Sequence, residues 1–167
     1  IRGDDHLTNT FKQLILFSLL DWNPPRYSHI PLIHSQEGRK LSKRHGDLSV
    51  KQYKENSFLP AALINYLLRL GWGYGDKEFF SIEEAVRLFS LEGVGKSPAK
   101  FDNKKLNHIN TFYFKKLTPN DLLKVIHSNY ETENYNKNLL EQLILLFQDR
   151  SENINDFLNG IEYMLSV

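Results

Sequence analysis

Between Gly38 and Gly46 the chain reads Arg39-Lys40-Leu41-Ser42-Lys43-Arg44-His45, four cations and a hydroxyl within seven residues. Lysine is a compact charge on a flexible stem and arginine a planar fork, and together they suit a polyphosphate whose charge moves during reaction. Lys40 and Lys43 lie three apart, so one turn can aim both at one anion. Ser42 adds a hydroxyl donor, Leu41 can pin the loop to the body, and Gly38 and Gly46 would let it swing.

Other chemistries find little support. No Gly-x-x-x-x-Gly-Lys-Ser/Thr loop occurs, and Gly93-Val94-Gly95-Lys96-Ser97 is too short to cradle phosphates in that way. No Gly-x-Ser-x-Gly elbow presents a nucleophile. Asp4-Asp5-His6 is acidic, but adjacent residues on a helix do not converge on one ion, so the triplet reads as a helix start and no metal site is expected. His29, His34, His45, His108 and His127 show no paired ligand spacing and read as ordinary. The chain has no cysteine, which excludes a disulfide framework and cysteine-ligated zinc and fits a cytoplasmic setting.

These residues need elements to hold them. The apolar positions Leu7, Phe11, Leu14, Ile15 and Leu19 predict a helix over 7–22, capped by Thr8 or Asn9 and closed at Pro24-Pro25. A strand is expected over 27–33, with Pro31 tolerable on an edge. Helix then strand is half of an α/β unit, and the basic loop follows that strand where open α/β sheets bind ligands. Ser49 caps a short helix through Lys54, Pro60 opens a helix ended by Gly71-Trp72-Gly73, and Ser81 with Glu84 makes a capping box. Asp102 can cap a helix through Ile109, Thr118-Pro119-Asn120-Asp121 starts another, and apolar faces follow over 139–147 and 154–164. Trp72 and Phe112-Tyr113-Phe114 read as core. The expected fold is mainly α with a small α/β part.

With 167 residues and 41% hydrophobic content the chain can pack a core, and a net charge of +1 leaves nucleic-acid attraction to local patches. No apolar run reaches membrane-spanning length, so no membrane partner is expected. The first residue is Ile1 rather than methionine, and the chain is expected to be a fragment of a larger protein.

Lys40-Leu41-Ser42-Lys43-Arg44 resembles the KMSKS signature of class I aminoacyl-tRNA synthetases, in the KLSKR form of bacterial-type glutamyl enzymes. Ile1-Arg2-Gly3-Asp4-Asp5-His6-Leu7-Thr8-Asn9-Thr10 is similar to the family stretch of isoleucine, arginine, glycine, two acids and histidine. So are Phe58-Leu59-Pro60-Ala61-Ala62-Leu63-Ile64-Asn65-Tyr66-Leu67, Leu70-Gly71-Trp72, Ser97-Pro98-Ala99, Phe101-Asp102, and Lys105-Leu106 with Asn110. One departure is Leu20-Asp21-Trp22, where the family usually has leucine, glycine and tryptophan. The resemblance runs in register over about residues 1–118.

The resemblance implies ATP-dependent activation of glutamate and its transfer to tRNA-Glu. By position, Arg2 would meet the glutamate carboxylate, Asp5 and the backbone of Ile33 would lie near the adenosine of ATP, and Lys43 would stabilise the departing pyrophosphate with Lys40, Ser42 and Arg44. It implies the end of a Rossmann-like catalytic domain over 1–48, a stem-contact region over 49–115, and the beginning of a helical anticodon-binding domain over 116–167. Lys51, Lys54, Lys96, Lys100, Lys104 and Lys105 could contact tRNA phosphates. Magnesium would accompany ATP, the family's HIGH motif and zinc-binding insertion would lie upstream, and a monomer is expected. A fragment of this kind would be inactive alone. The alternatives are a glutaminyl enzyme, a paralogue that glutamylates a tRNA nucleoside, or a non-catalytic RNA-binding module.

Overall fold

The computed structural model describes residues 1–39, 41, 49–129, 131 and 136–165. The chain is mainly helical with small sheets, as expected: eight α-helices and four two-residue strands stand among the described residues. It divides into two compact units, one of residues 1–47 and 67–102, the other of residues 48–66 and 103–167. No helix among the described residues is long and apolar enough to cross a membrane.

The first unit starts with strand β1 (Arg2–Gly3), a single 3-10 turn over Asp4–His6, and helix α1 (Leu7–Leu19). The turn displaces the expected cap: Thr8 and Asn9 lie inside the helix, and His6 precedes it without a side-chain cap bond. Of the helix residues only Thr10 is buried, and Phe11, Ile15 and Leu19 remain exposed. The helix closes with Asp21 at φ 51°, the Trp22 N–H bonding the Phe17 carbonyl at 2.9 Å and the Asp21 N–H that of Ser18 at 3.3 Å. This is a Schellman cap, and its apolar contact is the edge-on pair of Phe17 and Trp22 rings, 6.2 Å apart. Asp21 thus adopts the left-handed turn that glycine usually provides.

The single strand expected over 27–33 is in fact two, β2 (His29–Ile30) and β3 (Ile33–His34). β2 pairs in parallel with β1, whereas β3 pairs in parallel with β4 (Ala99–Lys100). Pro31 lies at the changeover, where it has no N–H to give a ladder. The last turn of α3 (Pro60–Arg69) leads into Trp72, which is 5% exposed and packs against Tyr74, Phe80 and Phe89. Its indole N–H donates to the Ser90 carbonyl at 3.1 Å, so the ring is a satisfied core residue. Helix α4 (Ile82–Leu88) carries the capping box expected at Ser81 and Glu84, with both reciprocal bonds made.

In the second unit Ser49 caps α2 (Val50–Glu55), and Gln52 completes a capping box. α2 ends as α1 does, with Ser57 at φ 61°, the Phe58 N–H on the Tyr53 carbonyl, and the two rings edge-on at 5.5 Å. The first residues of α3 join this unit, followed by α5 (Asn103–Lys115), α6 (Pro119–Asn129), α7 (Lys137–Gln148) and α8 (Ile154–Leu165). Thr118 and Asp121 cap α6 reciprocally, with Pro119 in its first turn. Phe114, Leu122, Leu123, Ile126, Leu140, Leu143, Ile144, Phe157 and Ile161 form its core. Phe114 is therefore core as expected, while Tyr113 is half-buried and its hydroxyl bonds Asn65 at 3.1 Å.

Candidate active site

The parallel register of β1 and β2 sets Arg2 opposite His29, with the Arg2 N–H donating to the Ser28 carbonyl at 3.1 Å. From there the half-buried Arg2 side chain meets α1 one turn and two turns in. Its Nη2 donates to Thr10 Oγ1 at 2.5 Å and its Nη1 to Gln13 Oε1 at 2.8 Å. The guanidinium lies over the Tyr27 ring, 4.7 Å from its centre, and the His29 ring is stacked on the same tyrosine. Tyr27, Thr10 and Gln13 are neutral, so they orient the cation without cancelling its charge. Arg2 Nε is buried and has no hydrogen-bond partner among the described residues. A donor left in that condition favours an acceptor, and a carboxylate is the group best matched to a guanidinium.

Thr10 is 6% exposed and holds three groups. Besides Arg2, its hydroxyl donates to the His6 carbonyl at 3.1 Å and lies 2.8 Å from His29 Nε2. Where the Thr10 proton is given to His6, the oxygen accepts from both Arg2 and His29, and Nε2 carries the hydrogen. Reading the sequence gave Arg2 by resemblance and set His29 aside as ordinary. Thr10 and Gln13 share a face of α1 by their spacing of three, but only the strand register brings His29 to them.

Asp5 lies in the exposed 3-10 turn after β1. A Cβ at Gly3 would sit 2.6 Å from Asp5 Oδ1, so glycine there leaves room for the carboxylate to fold back over the strand. Ile33, on β3, is half-buried and lines a pocket of about 250 Å³ with Ile1, Ile30, Trp72 and Val94, all in the first unit. Its carbonyl accepts the Leu41 N–H at 3.2 Å. The Leu41 backbone therefore ties the start of the basic loop to β3 through a bond that any non-proline residue could make. Gly38 has a φ of 83° at the end of a tight turn, in which its N–H bonds the Ser35 carbonyl at 3.0 Å. Lys40, Ser42, Lys43, Arg44, His45 and Gly46 lie outside the described residues.

Lys96 and Lys100 are exposed in the first unit; Lys51, Lys54, Lys104 and Lys105 are exposed in the second. Lys51 and Lys54 stand three apart on α2, where Lys51 also pairs with Glu55 at 3.6 Å. Lys104 and Lys105 open α5. Among the described residues no group of three histidines, cysteines, aspartates or glutamates is arranged to hold a metal ion.

Residues 1–108 match the family model for tRNA synthetases class I (E and Q), catalytic domain. The chain belongs to this family. It is 43% identical over 165 residues to a glutamate–tRNA ligase of Wolbachia sp. subsp. Brugia malayi (strain TRS), a match covering 99% of this chain and 36% of that protein. A ligase of the same name from Granulibacter bethesdensis is 56% identical over 115 residues, 69% of this chain and 24% of the relative. Among solved structures, the glutamate tRNA ligase of Elizabethkingia meningosepticum, in complex with its amino acid, superposes with a TM-score of 0.81 at 27% identity, over 97% of this chain and 36% of that one. The chain thus spans about a third of the length of the synthetases it matches.

Proposed function

We propose that this chain forms part of a glutamate–tRNA ligase, and that its first residues supply the amino-acid and ATP contacts of the active site. The observation that carries the reading is the continuous likeness to glutamate–tRNA ligases, which runs through both the Arg2 strand and the basic loop. In this reading Arg2 grips the glutamate carboxylate through its guanidinium. The substrate's α-carboxylate attacks the α-phosphorus of ATP, the bond to the bridging oxygen breaks, and pyrophosphate leaves with the electron pair. A hydroxyl of the terminal tRNA adenosine then attacks the adenylate carbonyl and releases AMP.

Neither step needs a covalent residue from the protein. What the first needs is charge on the departing pyrophosphate met by cations that tighten as the charge grows. Lys43, with Lys40, Ser42 and Arg44, supplies it, and the Leu41 anchor on Ile33 keeps the loop beside the strand. Asp5 and the Ile33 backbone flank the adenosine. Magnesium would accompany ATP and would supply charge that offsets the phosphates.

Residues 1–48 are the end of the catalytic domain, 49–115 lean on the tRNA stem, and 116–167 begin the anticodon-binding part. Lys51, Lys54, Lys96, Lys100, Lys104 and Lys105 add phosphate contacts, which give affinity without sequence information. The protein works in the cytoplasm as a monomer.

The test is glutamate-dependent ATP–pyrophosphate exchange by a full-length ligase carrying this segment, with tRNA-Glu present. Lys43→Ala is expected to lower the exchange rate by roughly a hundredfold or more while the glutamate KM moves about threefold or less. Equal losses in both would remove Lys43 from the transition state. No exchange with glutamate in the unsubstituted protein would remove the function.

A further inference from the structure

We propose that Thr10 and His29 are positioning residues for Arg2, and that through it they set the affinity for the acidic amino-acid substrate. This rests on the reading above, in which Arg2 meets the glutamate carboxylate. Three observations converge. Thr10 is nearly fully buried, yet its hydroxyl is engaged on every side, by Arg2 Nη2, His29 Nε2 and the His6 carbonyl. Tyr27 is shared as a platform by the Arg2 guanidinium and the His29 ring. Arg2 Nε is buried without a partner among the described residues, so the two Nη bonds to Thr10 and Gln13 are what hold the plane of the guanidinium.

A bidentate grip requires the guanidinium and carboxylate planes to coincide, so freedom of the arginine to rotate about its stem weakens binding. Gln13 holds one Nη from the exposed side of α1. Thr10 holds the other from the buried side, and His29 keeps the Thr10 oxygen turned towards Arg2 by occupying its second lone pair. Neither residue needs to touch the substrate.

The experiment measures glutamate KM, ATP KM and kcat by pyrophosphate exchange, with tRNA-Glu present, in a full-length ligase carrying this segment. Thr10→Val, equal in shape but without the hydroxyl, is expected to raise the glutamate KM about tenfold. Under the same conditions kcat and the ATP KM stay within about twofold, since the ATP contacts are not on this chain of bonds. Thr10→Ser restores the hydroxyl and the glutamate KM. His29→Ala shifts the glutamate KM in the same direction, and His29→Gln, which keeps an N–H donor, recovers most of it.

A Thr10→Val protein with unchanged glutamate KM overturns the proposal. So does a parallel rise in both KM values that serine does not rescue, because that is general damage to the fold. If Thr10→Val fails to fold, the His29→Ala and His29→Gln pair decides by the same split. Absence of glutamate-dependent exchange in the unsubstituted protein overturns the functional reading and the proposal with it. Retained exchange with an unmoved glutamate KM overturns the positioning role alone.

Discussion

Asp21 and Ser57 show how much one backbone angle can carry. Both sit at positive φ, both close a helix, and in both the residue that follows stacks its ring edge-on against the ring five positions earlier. An L-residue in the left-handed region costs about 1–2 kcal/mol, least for aspartate and asparagine, whose short polar side chains bond locally. Asp21 therefore holds a left-handed turn in which glycine is most at ease, and the acid still closes the helix. Asp21→Val is expected to lower unfolding stability by about 1–2 kcal/mol, and Asp21→Gly to leave it within about 1 kcal/mol, both read from denaturant midpoints. An unaffected valine variant would mean the turn is made some other way.

At the scale of elements, local hydrogen bonding was the most readable part of the sequence. Ser49, Ser81 and Thr118 each announced a helix by residue type, Ser81 also by Glu84 three positions on, and all three helices begin there. Ser81→Ala is expected to remove about 1 kcal/mol, seen as a lower thermal midpoint. Glu84 adds a pH dependence. The hydrogen bond from Lys77, then that from the Ser81 backbone, holds its carboxyl below the ordinary 4.5. Asp121 is lowered below 3.8, first by the Thr118 hydroxyl and then by the Thr118 backbone. A carboxyl depressed in the folded state stabilises above its ordinary value, and that contribution disappears as pH falls through the lowered one. Thermal stability should thus decline as pH drops below about 4.5, and Glu84→Gln should flatten part of that decline. A variant with the same slope would show that Glu84 does not contribute.

The strands were far less legible. β1 and β4 are two residues long, which leaves no alternation to read, and Pro31 divides what looked like one strand. The cap expected at Thr8 or Asn9 failed for a related reason: a 3-10 turn starts the helix early and draws Thr10 inwards, where its hydroxyl serves Arg2 instead of a helix end. Arg2, Asp5, Ile33 and the basic loop came from a likeness in motif. The Thr10 and His29 pair had no motif, because nothing in the spacing of 10 and 29 foretells a parallel register that places both beside residue 2.

At the scale of the whole molecule, neither unit is continuous in sequence. Residues 48–66 belong with 103–167, and residues 1–47 with 67–102. A chain cut after Asp102 is expected to keep amide protection around 33–34 and 99–100 while losing it across 50–66, whose packing partners are gone; hydrogen exchange measures this residue by residue. Protection retained over 50–66 would mean that α2 and α3 stand alone. Binding belongs to this scale as well. Lys105→Ala in a full-length ligase should weaken tRNA binding modestly and reduce the salt slope by about one, and an unchanged slope would remove it from the interface.

The changeover at Pro31 also imposes an order of assembly. β2 can find β1 once the chain has been made through Ile30, but β3 waits for Ala99 and Lys100. Pairings so distant along the chain pay loop closure before any reward, which slows folding. During synthesis, residues 33–34 leave the ribosome long before their partner strand. Ile33 is therefore among the last parts of its unit to be paired, and an interrupted polypeptide would carry Arg2 already seated while Ile33 still lacked its partner strand.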